Sequence, residues 1–382
     1  MSINQPKKLL IVDDSAFMRK MISDFFADHP IIQVVGTARN GKDAIKKIHM
    51  LKPDVVTMDV EMPEMNGLEA LKVIMRECPV PVVMLSSTTK IGAKITLEAM
   101  ASGAVDFIAK PSGSISLDLD KIQNDVIRIV ENAATVHVSK LRYAEHVVKK
   151  KTTTPKNPIE KVSTLSKDSV HDKDHPLKED HENPKVNWNL HSKKMILIGT
   201  STGGPRALQE VITRLPQNTP APILIVQHMP AGFTKSLASR LDHLSKITVK
   251  EAEQGDLLQE GVAYIAPGDF HMRIRKVGMS YHIELDKTEP PRGGHRPSVD
   301  VMFEDNSQYN DFDKIAVIMT GMGSDGTKGL QALKKKGNVI AIAESANTSV
   351  VYGMPKSAYA TGLVDEVADV DDISKIIMKY LP

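Results

Sequence analysis

Two groups of residues in this chain have types and spacings suited to chemistry. The first is acidic. Asp13 and Asp14 follow an apolar run in VDDS, and Asp59 follows another in MDVEMP. Three carboxylates brought together repel one another unless a cation lies among them, and Mg2+, a hard ion that takes oxygen ligands, suits the place. Ser86-Ser87 and Lys110-Pro111 end two further apolar runs, so a hydroxyl and an ammonium complete an anion pocket beside the metal. Such a set serves phosphoryl transfer to a carboxylate, because the cation and Lys110 neutralise the incoming charge. Asp59 is the expected acceptor, since it stands alone at its strand end while Asp13 and Asp14 hold the metal. Singly, Asp13 and Asp14 are ordinary helix caps and Lys110 an ordinary surface residue. Their coincidence at successive strand ends favours the chemistry.

The second group centres on IGTSTGGP, residues 198–205, which follows the apolar run MILI. GTSTG matches the G-x-S-x-G pattern in a strand–turn–helix context, where small neighbours let Ser201 protrude. The helix N-terminus behind it offers N–H groups to an oxyanion. A serine nucleophile needs a base and an orienting acid. His228 ends the next strand candidate, in IVQHMP, and Asp325 lies in MTGMGSDG after a later one. A parallel sheet gathers such residues at the carboxyl edge, and a triad is defined by geometry rather than chain order. The order here, Ser…His…Asp, differs from the Ser…Asp…His order of α/β-hydrolases. A rival remains open: GMGSDG (321–326) also matches the dinucleotide fingerprint G-x-G-x-x-G, with Glu344 near the place of a ribose-binding acid. Against it stand the Asp325 charge beside a pyrophosphate, the late position of the motif, and the lack of any role for Ser201 and His228. Of the other histidines, His271 and His282 are expected at partly exposed strand positions. His295 precedes a helix that Pro297 is expected to open.

These residues must be positioned by a sheet. Up to residue 130, KKLLIVDD, IQVVGTA, DVVTMDV, VPVVMLSS and VDFIAKP alternate with amphipathic segments, which predicts a parallel five-stranded sheet covered on both faces. From residue 193 the rhythm resumes with MILIGTS, APILIVQHM, KIAVIMTG and NVIAIAE as strands. The stretch VAYIAPGDFHMRIRKVGMSYHIELDK between them alternates apolar and polar residues, so it is expected to form an antiparallel excursion. The fold class is therefore α/β, with two doubly wound parallel-sheet domains. The first is flavodoxin-like; the second is Rossmann-like, three-layered and carries a β-hairpin excursion. Residues 137–192 are polar and lysine-rich and cannot bury enough apolar surface to offset their chain entropy, so they are expected to form a flexible linker. SKLRYAEHVVKKK, at its start, is expected to extend a helix. His171, His175 and His181 lie in this tract, where a soluble low-complexity segment is a better explanation than metal binding.

The chain has 382 residues, 41% apolar and 25% charged, with a net charge of +2. That is about two domains by length, with no strong push toward nucleic acid, and no helix-turn-helix signature is present. No apolar stretch is long enough to span a membrane, and the N-terminus lacks a signal-peptide core. The one cysteine, Cys78, permits no internal disulfide. A cytoplasmic protein without membrane insertion or nucleic-acid binding is expected.

VDDS, MDVEMPEMNGLEAL, SS at 86–87 and AKP at 109–111 make residues 5–125 resemble a response-regulator receiver domain. The resemblance implies phosphorylation of Asp59 by a chemotaxis histidine kinase, Asp13, Asp14 and Asp59 at a Mg2+ site, Ser87 as the switch hydroxyl, Lys110 beside the phosphoryl group and a cis Lys110–Pro111 bond. IGTSTGGP, VQHMP, IAPGDFHM, HRPSVDVMF and TGMGSDG make residues 193–382 resemble the chemotaxis glutamate methylesterase domain. This second resemblance implies Ser201 as nucleophile, His228 as base and Asp325 as its orienter, with no cofactor for ester hydrolysis. It implies hydrolysis of glutamate γ-methyl esters on methyl-accepting chemotaxis receptors, with release of methanol, and deamidation of receptor glutamines. The alternative is a response regulator with a non-catalytic dinucleotide- or partner-binding output domain.

Overall fold

The computed structural model describes residues 5–110, 119–141 and 188–382. The first unit runs β1 (Lys7–Val12), α1 (Ala16–Phe25), β2 (Ile32–Ala38), α2 (Gly41–Leu51), β3 (Val55–Asp59), α3 (Gly67–Glu77), β4 (Val82–Ser86), α4 (Lys90–Ala101), β5 (Asp106–Ala109) and α5 (Leu119–Ala133). Its strands pair in the order β2-β1-β3-β4-β5, all parallel. β3 and β4 are buried along their whole length, as expected of Val-rich strands covered on two faces. Each of the first four helices begins on a side chain that accepts from the first turn: Ser15, Asn40, Asn66 and Thr89. At α3 the cap is reciprocal, with Glu69 returning a hydrogen bond to the Asn66 backbone. Cys78 caps the end of that helix.

The second unit runs β6 (Lys194–Thr200), α6 (Gly204–Ile212), β7 (Ile223–Gln227), α7 (Phe233–Leu244), β8 (Thr248–Glu251), β9 (Val262–Ile265), β10 (His271–Val277), β11 (Ser280–Asp286), α8 (Val299–Asn306), β12 (Asp313–Ile318), α9 (Thr327–Lys336), β13 (Val339–Glu344), α10 (Met354–Tyr359), β14 (Glu366–Ala368) and α11 (Val370–Lys379). Seven strands form a parallel sheet in the order β14-β13-β12-β6-β7-β9-β8. The chain leaves β6 toward β7 and later returns on the other side of β6 as β12. The carboxyl ends of β12, β6 and β7 thus lie side by side at a switch point, the usual place for a site in an open α/β sheet.

The excursion is smaller than the sequence pattern suggests. Only β10 and β11 form an antiparallel pair, turning at Gly278. VAYI is β9, a strand of the main sheet pairing in parallel with both β7 and β8. Four-residue strands leave too few positions to distinguish alternation from continuous burial. His271 is fully buried rather than partly exposed, with Nε2 3.2 Å from the Pro290 carbonyl. Pro297 does not open α8; Ser298 does, accepting from the Val301 N–H.

The two units pack through α4 and β5 against α6 and α7. Phe107 of β5 stacks on Phe233 of α7 with ring centroids 4.6 Å apart. The described ends of the 137–192 segment are docked. Residues 138–140 form a short 3-10 helix, and Lys140 Nζ donates to the carbonyls of Ala346 and Ser349 at 2.8 and 3.0 Å. Arg206 donates in return to the carbonyls of Lys140 and Leu141. Trp188 donates to the Tyr380 carbonyl, and its ring lies 4.5 Å from Lys194 Nζ. Pro111, the histidines at 171, 175 and 181, and most of the proposed helix extension lie outside the described residues.

Candidate functional site

The acidic residues of the first unit converge as the spacing implied. Oxygen atoms of Asp13, Asp14 and Asp59 lie within 4.8 Å of one another. Asp13 and Asp59 are buried and Asp14 is exposed, so the cluster opens to solvent on one side. Lys110 Nζ lies 2.9 Å from Asp13 Oδ2 and 2.8 Å from Asp59 Oδ2. One ammonium does not balance three carboxylates. Burial raises the Asp59 pKa to about 6, against the pull of Lys110. A cluster short of positive charge, made only of oxygen donors and open at one edge, fits a divalent hard cation. Ser87 lies beyond the end of β4, its Oγ 3.0 Å from Thr89 Oγ1.

In the second unit Ser201 follows β6, His228 follows β7 and Asp325 lies in the loop between β12 and α9. Ser201 and His228 line one cleft. The turn that carries Ser201 needs its glycines. Gly203 has φ +78°, in the left-handed region, and a Cβ on Gly204 would lie 2.0 Å from Gln227 Oε1. The Ser201 N–H is already spent on the Thr320 carbonyl at 3.0 Å, whereas the Thr202 N–H has no partner among the described residues. Gln227 Nε2 donates to the carbonyls of Ser201 and His228, fixing the two chain segments against each other.

His228 Nε2 lies 2.8 Å from Asp325 Oδ2. That oxygen also accepts from the Val299 N–H at 2.7 Å, while Oδ1 accepts from Ser298 Oγ, the Asp300 N–H and the Gly326 N–H. Burial alone would raise the Asp325 pKa, but His228 and the N–H groups at the start of α8 overcome it and hold it at about 2. An ionised Asp325 accepts a hydrogen bond from Nε2–H, so the imidazole carries its hydrogen there and its lone pair on Nδ1. His228 Nδ1 is buried and has no hydrogen-bond partner among the described residues. The tautomer that Asp325 selects thus leaves the Nδ1 lone pair free to take a proton.

Several neighbours were not assigned a role from the sequence. His295 stacks flat on His228, with centroids 3.8 Å apart and planes 7° from parallel. Burial, with a further push from His228, lowers the His295 pKa to about 3, so that ring is neutral. Asp300 Oδ1 accepts from the N–H groups of Gly326 and Gly329 and so ties the Asp325 loop to α8. Glu344 is buried, accepting from the Thr320 N–H and from Thr348 Oγ1. A fully covered Glu344 is not placed to meet a ribose hydroxyl, which removes the main support for a dinucleotide site at 321–326. The motif HRPSVDVMF contained His295, Ser298 and Asp300, but their partners are distant in sequence and only the fold joins them.

Comparison with known proteins places the chain in a family. Residues 196–377 match the CheB methylesterase family, and residues 9–119 match the response regulator receiver domain. A protein-glutamate methylesterase/protein-glutamine glutaminase of Geobacillus kaustophilus is 51% identical over 98% of this chain and 98% of its own length. The chain belongs to the CheB methylesterase family, joined to a receiver domain. A relative of the same name from Halalkalibacterium halodurans is also 51% identical, over 97% of both chains. The crystal structure of the CheB methylesterase catalytic domain of Thermotoga maritima is 45% identical and covers 50% of this chain and all of its own, with a TM-score of 0.48. No helix among the described residues is long and apolar enough to cross a membrane.

Proposed function

We propose that Ser201, His228 and Asp325 carry out the protein-glutamate methylesterase and protein-glutamine glutaminase chemistry of this family, under control of Asp59. The carrying observation is the His228 ring, tied at Nε2 to an ionised Asp325 and unpartnered at Nδ1, in the cleft that holds Ser201. His228 Nδ1 takes the Ser201 proton as Oγ attacks the γ-carbonyl of a receptor glutamyl methyl ester. The Thr202 N–H, at the start of α6, is available to the oxyanion. Protonated Nδ1 then gives its proton to the departing methoxide oxygen, releasing methanol; the same nitrogen next takes a proton from a water that attacks the glutamyl enzyme and returns it to Ser201 Oγ as glutamate leaves. A glutamine side chain offers the same acyl group with ammonia as the leaving group. Asp325 stays ionised throughout and stabilises the imidazolium.

In the receiver, Asp59 is the phosphoacceptor, Asp13, Asp14 and Asp59 would hold Mg2+, Lys110 faces the incoming phosphoryl group and Ser87 is the switch hydroxyl. Bound Mg2+ supplies charge neutralisation for phosphoryl transfer. A chemotaxis histidine kinase is the phosphodonor, and methyl-accepting receptors are the substrate, met in the cytoplasm. β5 and α5 line the same cleft as Ser201 and His228, and Arg128 of α5 reaches Met322 Sδ at 3.9 Å. They share the cleft that a substrate side chain must reach, so phosphorylation acts by favouring an arrangement that opens it. Residues 5–125 form the regulatory domain, 193–382 the catalytic domain, and 137–192 join them. The test is methanol release from a methylated receptor fragment with Mg2+, with and without a small-molecule phosphodonor. Release that rises with the donor, and no rise in Asp59→Asn, is the expected result. No release from the folded wild-type chain in either condition refutes the assignment.

A further inference from the structure

One polar contact joins the regulatory unit to the residue beside the nucleophile. Thr202 Oγ1 donates to Asp106 Oδ2 of β5 at 2.5 Å. The other Asp106 oxygen accepts from the Phe107 N–H at 2.8 Å, which fixes the carboxylate plane. Phe107, the next residue, is stacked on Phe233 and holds this end of β5 against the catalytic unit. Asp106, Thr202, Ser201 and His228 all line one cleft. Burial there raises the Asp106 pKa, so the contact carries a desolvation cost that a neutral residue would not incur.

The chemistry of the reaction gives this arrangement meaning. Both substrates, ester and amide, present a planar acyl group with a carbonyl oxygen, and the product presents a carboxylate. Asp106 presents the same planar carboxylate on a chain one methylene shorter than glutamate. It accepts from the hydroxyl of Thr202, the residue next to Ser201, and that hydroxyl has no other acceptor among the described residues.

We propose that the Thr202 hydroxyl is the group that binds the acyl oxygen of the substrate side chain, and that Asp106 occupies this subsite as an in-chain mimic of the glutamate product. The inference rests on the assignment of Ser201 and His228 above. It separates two functions of one hydroxyl. In the closed arrangement Thr202 holds Asp106, and in the open arrangement it holds the substrate. Asp106 matters only while the cleft is closed; Thr202 matters in both states.

The test uses the full chain, a methylated receptor fragment and methanol release, with and without saturating phosphodonor and Mg2+. Without the donor, Asp106→Ala raises the rate about tenfold, the size of effect expected for losing one hydrogen bond to a charged group. Asp106→Asn, which keeps the shape, raises it less. With the donor, Asp106→Ala matches wild type. Thr202→Val then lowers kcat/KM about tenfold for loss of one donor to the acyl oxygen, and Thr202→Ser restores it. In the Thr202→Val background, Asp106→Ala no longer changes the unphosphorylated rate. An unphosphorylated Asp106→Ala chain with the wild-type rate overturns the proposal, as does a phosphorylated Thr202→Val chain with undiminished kcat/KM. Absence of methanol release from phosphorylated wild type refutes the triad assignment, and the inference with it; the variant results bear on the inference alone.

Discussion

Replacing Asp325 by asparagine should abolish turnover by changing which nitrogen of His228 holds its proton. Every partner of the Asp325 carboxylate in the structure donates to it. Oδ1 accepts from two backbone N–H groups, Asp300 and Gly326, and from the Ser298 hydroxyl. Oδ2 accepts from one backbone N–H, Val299, and from His228 Nε2. An asparagine NH2 at the Oδ1 place would face two N–H groups, whereas at the Oδ2 place it faces one. The second orientation is therefore preferred, and there the imidazole avoids a donor–donor clash only by accepting at Nε2. Its proton then sits on Nδ1, the atom that must take the Ser201 proton. Turnover should fall about 10⁴-fold, the cost of a wrong tautomer in a serine triad, or about 5.4 kcal/mol in activation free energy. One N–H left without an acceptor should also cost about 1–3 kcal/mol of stability. Initial rates of methanol release with saturating phosphodonor measure the first effect, and urea unfolding the second. Asp325→Asn with activity within threefold of wild type would refute the tautomer argument.

Three further outcomes follow from the same structure. Asp59 binds its proton more tightly when folded, with a pKa near 6, so its favourable contribution is complete below the ordinary carboxylate value and lost as pH rises through about 6; without Mg2+, Asp59→Asn should gain up to about 3 kcal/mol on wild type between pH 4 and pH 7.5, read from thermal midpoints. Glu344, raised by burial to about 7, should behave likewise, so Glu344→Gln should be increasingly more stable than wild type from pH 5 to pH 8.5, by up to about 3 kcal/mol in urea titrations; an equal pH profile for both chains would contradict the assigned burial cost. His295 is neutral and works by stacking on His228, so His295→Phe should keep most of the activity while His295→Ala should lose about tenfold in kcat, the size of a lost aromatic contact of about 1 kcal/mol plus a looser ring.

The receiver was legible in the sequence almost residue by residue. Its strands are continuous apolar runs, and Asp13, Asp59 and Lys110 sit at the ends of three of them, so placing the strands brought these side chains together. In the second unit, the placement of Ser201, His228 and Asp325 at one edge was legible for the same reason, since β12, β6 and β7 are neighbours in the sheet. The short strands β8 and β14 carry four and three residues and were missed, and β9 was assigned to the hairpin, because so few positions give no period to read. His295, Thr202 and Asp106 were not assigned roles because each acts through a partner set by tertiary contact. His295 meets His228 across a distant loop, and Asp106 meets Thr202 across the boundary between two units. The docked ends of the 137–192 segment were hidden for a related reason. Lys140 and Arg206 make their bonds to backbone carbonyls, which leave no mark in residue types.

The most direct measurement of the central claim is methanol release by Ser201→Ala beside wild type, both phosphorylated on Asp59 with saturating donor and Mg2+ and both checked for the same thermal midpoint. The variant should accept the phosphoryl group normally and release methanol at least about 10³-fold more slowly than wild type. A folded, phosphorylated Ser201→Ala chain that releases methanol at the wild-type rate would contradict that claim.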